Sequence, residues 1–176
     1  MLLDLNLPEW LTEIPPVTLD DESAMALALQ LAERNIQEGG GPFAALILDA
    51  QGLLLSAGVN RVRPAGCSLM HAEMVAILLA QLRMHNHDLS GYGAQLYSTC
   101  APCAMCWGAL PWAGIKRLIW SADTQDAEQA GFDEGDKPVH WESALLRRGI
   151  QVRSGLLPIQ GQELLRRYSD QDGAIY

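Results

Sequence analysis

Apolar positions along the chain switch between two periods, and the switches mark its elements. From Asp20 to Gln37, Ala24, Leu27, Ala28, Leu31 and Ala32 recur at helical spacing, with Asp20, Asp21 and Glu22 at the end where a helix favours negative charge. Gly39-Gly40-Gly41-Pro42 stops that helix. Phe43 to Leu48 and Leu53 to Ala57 are short apolar runs on either side of Asp49-Ala50-Gln51-Gly52, which predicts two strands joined by a tight hairpin and buried in one sheet. After a loop from Arg61 to Cys67, Ser68 is placed to cap a helix running to about Arg83, followed by a polar stretch from His85 to Gly93.

The second half alternates in the same way. A strand from Ala94 to Thr99 leads into Cys100-Ala101-Pro102, with Pro102 suited to the first turn of a helix from about Cys103 to Trp112. Ile115 to Ser121 then predicts a further strand, and a strand, helix, strand crossover implies a parallel pair. Pro138 to Arg148 has a helical pattern with Gly149 as its stop, Ile150 to Arg153 a strand pattern, and Gln160 to Asp170 a final helix. With a hairpin and a crossover in one sheet and helices between strands, the expectation is a three-layer α/β/α sandwich around a central mixed sheet. Residues 1–176 form a single domain on this reading, with 1–18 as an irregular, Pro-interrupted arm that carries no assigned function.

Composition narrows the choice of partner. Of the 176 residues 49% are hydrophobic and 19% charged, enough to close one substantial core and unlike a disordered chain. The formal net charge of −9 repels a long phosphate backbone, although Lys116-Arg117 and Arg147-Arg148 are local basic spots, so a small uncharged substrate and no nucleic acid are expected. The start MLLDLNLPEWLTEIPP has no basic n-region and is interrupted by Asp4, Pro8, Glu9 and Pro15, and no stretch is apolar enough to span a bilayer, so the protein is expected in the cytoplasm. Three of the four cysteines, Cys100, Cys103 and Cys106, crowd into one segment, which favours metal binding over disulfides.

The chemistry concentrates in His71-Ala72-Glu73 and Pro102-Cys103-Ala104-Met105-Cys106, each at an expected helix N-terminus. H-x-E with a distant P-C-x-x-C is the recorded signature of zinc nucleobase deaminases. Zinc takes nitrogen and sulfur donors tetrahedrally and keeps one position for water in catalytic sites, so His71, Cys103 and Cys106 supply three ligands to one ion. Three residues apart, the two thiols project from one side of a helix whose positive end favours thiolates. Glu73, outside the ligand set, is then the general acid/base that takes a proton from the activated water and passes it to the ring nitrogen. Two other readings stay open: buried thiols that only pack, and a closed structural zinc with Cys67 or Cys100 as fourth ligand.

Gly40-Gly41-Pro42-Phe43, Asn60, His71-Ala72-Glu73, Cys100 through Cys106 and Gly131-Phe132-Asp133-Glu134 occur in the order found in the guanine deaminases of the cytidine deaminase-like superfamily, which the chain resembles from about Gly40 to Tyr176. The resemblance implies that Phe43 stacks on the purine, Asn60 hydrogen-bonds its ring, Trp112 helps wall the pocket and Tyr176 closes over the base near the chain end. It also implies that Glu134 is a second proton shuttle and that the protein is a homodimer. Ala101 departs from the acidic residue that many relatives carry before the proline, which leaves an ammeline-like triazine as a possible substrate beside guanine. The rivals are a tRNA adenosine deaminase, disfavoured by the acidic charge, and a zinc-stabilised scaffold indifferent to Glu73. His85, His87, Asp88 and His140 have no ligand spacing to the motif.

Overall fold

Strands with apolar residues on both faces have to be covered on both faces, and the computed structural model, which describes residues 5–176, meets that demand with helices on either side of one sheet. Helices α1 (Glu9–Thr12) and α2 (Asp21–Gln37) precede the hairpin β1 (Ala44–Leu48) and β2 (Leu54–Val59). Then come α3 (Val62–Ala65), α4 (Ala72–Met84), a 3-10 turn at Ser90–Tyr92, β3 (Gln95–Cys100), α5 (Ala104–Ala113) and β4 (Arg117–Ala122). The chain finishes with α6 (Thr124–Gln129), α7 (Trp141–Arg147), β5 (Gln151–Arg153) and α8 (Pro158–Asp170). The sheet order is β2-β1-β3-β4-β5; β1 runs antiparallel to β2 and β3, and the β3-β4 and β4-β5 pairs are parallel. This is the expected mixed sheet in three layers.

Alternation along each strand divides the core in two. Ala44, Leu46 and Leu48 face α2 and join Tyr97, Ile119 and Leu164 in one apolar layer. Ala45 and Ile47 face the other way, packing with Leu96, Leu118, Trp120 and the α4 residues Ala72, Ala76 and Ala80. The small residues on α4 let it lie close to β2: a Cβ on Gly58 would stand 2.2 Å from the Ala72 carbonyl oxygen and 2.4 Å from the Ala76 nitrogen. That close approach sets the height at which the start of α4 meets the sheet.

Several expected boundaries move, and the reasons are local. Ser68 does not cap α4; Gly66 closes α3 in the left-handed region, and the chain stays irregular until His71, which takes the N-cap position with φ −67° and ψ 153°. Pro102 lies outside α5, whose N-cap is Cys103, and Pro111, within the expected span, sits in the last turn. In the arm assigned to residues 1–18, α1 forms and Thr18 bridges Leu53 at the sheet edge, residues 1–4 lying outside the described part. Helix α6 was not expected; a reciprocal capping box between Asp123 and Asp126 starts it.

Candidate active site

Helices α4 and α5 both begin over the same end of the sheet, and both begin with a functional side chain where a capping residue would ordinarily sit. Neither His71 nor Cys103 caps its helix through its side chain, so both groups are free to turn towards each other. The His71 Nδ1 lies 3.5 Å from the Cys103 Sγ and 3.7 Å from the Cys106 Sγ, and the three donor atoms lie within 4.8 Å of one another. A tetrahedral zinc ion with the usual Zn–S and Zn–N lengths sets its sulfur and nitrogen donors about 3.5 Å apart. The donor set and its spacing therefore fit zinc. Hydrogen bonding from Cys106, against the opposing effect of burial and with help from His71, draws the Cys103 thiol down to about 4, a thiolate at neutral pH. Burial alone would lower His71, but its contact with Cys103 and the nearby Glu73 charge raise it overall.

Glu73 occupies the first turn of α4 and is buried, and both carboxylate oxygens have partners. Oε1 accepts a hydrogen bond from the Ser98 hydroxyl at 3.1 Å, and Oε2 accepts one from the Cys106 thiol at 3.4 Å. Burial, then the charge of Cys103, push its carboxyl above the usual range, which suits a group that must both take and give a proton. A second buried carboxylate, Glu134, comes from the loop after α6; burial raises it to about 7 while Lys137 works against the rise. Its backbone carbonyl accepts the Ala104 amide at 2.9 Å, which lays this loop against the start of α5.

His71, Cys103, Glu73 and Glu134 line one cavity with Phe43, Asn60, Ala101, Phe132, Asp133 and Tyr176. Phe43 and Phe132 meet edge to face at 4.8 Å, and Phe132 meets the Tyr176 ring at 5.4 Å. Asn60 is 1% exposed, its Oδ1 accepts the Val62 amide at 3.2 Å, and its side chain faces Tyr176. Asn35 of α2 fixes this wall by donating to the carbonyls of both Gly41 and Asn60, at 2.9 and 2.8 Å. The Tyr176 hydroxyl is buried without a hydrogen bond, close enough to Gly41 that a Cβ there would stand 2.1 Å from it. With that ring in place the cavity measures ≈ 30 Å³, room for a water or two.

The family described as the cytidine and deoxycytidylate deaminase zinc-binding region matches residues 18–122, a span holding both motifs. This chain belongs to that family. The structure of guanine deaminase from Nitrosomonas europaea superposes with a TM-score of 0.93 at 40% identity, covering 96% of each chain. Guanine deaminase of Bacillus subtilis is 35% identical over 127 residues, covering 68% of this chain and 80% of its own length. The tRNA-specific adenosine deaminase of Aquifex aeolicus is 36% identical over 142 residues, covering 76% of this chain and 91% of its own.

Of the residues expected at this deaminase's site, His71, Glu73, Cys103, Cys106, Phe43, Asn60, Glu134 and Tyr176 come together. Trp112 does not: it lies near the far end of α5 and is 82% exposed, so it does not wall the pocket of its own chain. The rise along a helix explains this, since a residue two turns beyond Cys106 is carried well away from a site at the N-terminus. Cys100 is buried and its thiol faces the Asp123 carbonyl at 3.5 Å, and Cys67 packs against the α2 side of the core, so neither joins the donor cluster. Sequence reasoning passed over Phe132 as a pocket residue, although it sits within a quoted motif. It also missed Ser98, Asn35 and Lys137. Strand alternation could have pointed Ser98 towards α4, since Leu96 faces that layer; no pattern marks Asn35 or Lys137.

Proposed function

We propose that this deaminase hydrolyses guanine, with water, to xanthine and ammonia. The observation that carries the reading is the convergence, in one aromatic-lined pocket, of the His71, Cys103 and Cys106 donors with two buried carboxylates, Glu73 and Glu134. One zinc ion per chain, held by those three donors, would supply the Lewis acidity that makes water a nucleophile near neutral pH. Glu73, fixed by the Ser98 hydroxyl, takes a proton from the attacking water and delivers it to the ring nitrogen beside the reacting carbon. Glu134, with its carboxyl near 7, supplies the proton that lets the amine leave as ammonia when the C–N bond breaks, and takes back the proton that the new hydroxyl gives up as it becomes the carbonyl of xanthine. Phe43 and Phe132 offer aromatic surface to the ring, and the side-chain amide of Asn60 orients it. Tyr176 has to move for a bicyclic base to enter and can then close over it.

The net charge of −9 sets this reading apart from action on tRNA, where phosphate contacts dominate affinity. No helix among the described residues is long and apolar enough to cross a membrane. We also infer a homodimer: Trp112, 82% exposed, is a surface a second copy would cover, which sedimentation velocity measures directly. Glu73→Ala tests the mechanism. Turnover of guanine should fall by about 10²- to 10⁴-fold with zinc content unchanged, and an active variant would contradict the role of Glu73.

A further inference from the structure

Lys137 is a buried lysine, its side chain 6% exposed, standing three residues after Glu134 in a loop that is not helical. An ammonium has three hydrogens and no acceptor, and leaving it buried without partners is expensive. Here three acceptors from three separate segments meet it: the Pro102 carbonyl at 2.8 Å, the Thr124 Oγ1 at 2.7 Å and the Glu134 Oε2 at 3.5 Å. Pro102 precedes the cysteine that starts α5, Thr124 starts α6, and Glu134 lies on the loop between α6 and α7. The Trp141 ring closes the remaining side, with its centroid 5.2 Å from Nζ.

The distances separate two tasks. The short bonds to Pro102 and Thr124 fix where the ammonium sits, and the longer contact leaves the Glu134 carboxylate under its charge without clamping it. A fastening between loops needs no charge; a neutral donor would tie Pro102 to Thr124 without the cost of burying an ion. The charge is accounted for by the carboxylate it faces.

We propose that Lys137 is a positioning residue for the deamination step. It ties the loop that bears Glu134 to Pro102, ahead of Cys103, and sets a positive charge that stabilises the carboxylate left behind when Glu134 gives up its proton. This rests on the reading of Glu134 as the second acid.

The test is a double-mutant cycle with guanine as substrate, measuring kcat, KM, zinc content and thermal midpoint for Lys137→Met, Lys137→Arg, Glu134→Gln and the Glu134→Gln/Lys137→Met pair. Lys137→Met should lower kcat about 10- to 100-fold, with KM changing less and zinc retained. Lys137→Arg, which keeps the charge but misplaces it, should recover part of that loss. In the Glu134→Gln background, replacing Lys137 should change kcat by no more than about two- to threefold, because its partner is already gone. An unchanged kcat in Lys137→Met, or an equal further loss in the Glu134→Gln background, would overturn the proposal while leaving Glu134 in place. An unchanged kcat in Glu134→Gln would instead overturn the role of Glu134, and that of Lys137 with it. Should Lys137→Met lose its cooperative thermal transition, Lys137→Arg alone and paired with Glu134→Gln serves the same comparison under the same criterion.

Discussion

Glu73 and Glu134 are both glutamates in one cavity, yet their surroundings give them different work. Glu73 accepts the Ser98 hydroxyl at one oxygen and has the ligand Cys106 beside the other, whereas Glu134 faces a single cation at 3.5 Å. With its carboxyl raised by burial to about 7, Glu134 is mostly protonated below that pH and loses its proton as pH rises through it. If its task is to protonate the leaving amine, kcat should decline on the alkaline side of about 7. Glu134→Gln should abolish that limb and lower the plateau about 10²-fold or more; a pH profile of the variant unchanged in shape would contradict the assignment. At this scale the metal motif was legible because zinc dictates the residue types and their spacing. Ser98, Asn35 and Lys137 were not, because each acts through a long-range contact: Ser98 reaches Glu73 25 positions away, and Lys137 reaches Pro102 35 positions away.

At the scale of elements, the site depends on where α4 and α5 begin. Hydrophobic period placed both helices within a few residues but started α4 too early, because Ser68 has the chemistry of a cap and His71 does not. A helix started at the metal ligand leaves the His71 side chain free for the ion and puts Glu73 within the first turn, an arrangement no propensity scale records. Gly58 holds α4 at its level on β2. Gly58→Ala would drive a methyl into the α4 backbone at Ala72 and Ala76, neither of which can turn aside as a side chain can. The expected cost is about 1–3 kcal/mol in a urea titration. Because the displaced end carries His71, zinc should also be lost more readily to a chelator; a Gly58→Ala protein with native stability and zinc affinity would show that the approach is not restrictive. The C-terminal tail is the element the pattern described least, since its aromatic end reaches Phe132 and Gly41 only through the closed fold.

At the scale of the molecule, the alternation of helices and strands predicted the layers and the mixed sheet, and the structure adds the order β2-β1-β3-β4-β5. That order sets β3 between β1 of the hairpin and its parallel partner β4, so the start of α5 emerges beside the start of α4. One ion-pair network pins the far side: Asp21, at the start of α2, receives two hydrogen bonds from Arg117 of β4, at 2.8 and 2.7 Å, and one from Tyr97 of β3 at 2.7 Å. The Arg117 guanidinium, followed by Tyr97 and Arg153, outweighs burial and holds the Asp21 carboxyl well below the usual carboxylate range. A lowered value in the folded state adds stability that is complete above the unfolded aspartate value of about 4 and is lost as pH falls through the folded one. Asp21→Asn should therefore cost about 1–2 kcal/mol at neutral pH, and its deficit against the parent should narrow as denaturation is followed below about pH 4. A deficit independent of pH would assign the effect to packing.

The central claim is hydrolysis of guanine at a zinc site of this chain, and ammonia release tests it most directly. Zinc-loaded protein is assayed with guanine, adenine, cytosine, cytidine and ammeline, with Glu73→Ala as control. Guanine should release ammonia, with xanthine formed in equal amount, and the control should release none. Silence on guanine with release from another ring would contradict the substrate, and release that persists in Glu73→Ala would contradict the site.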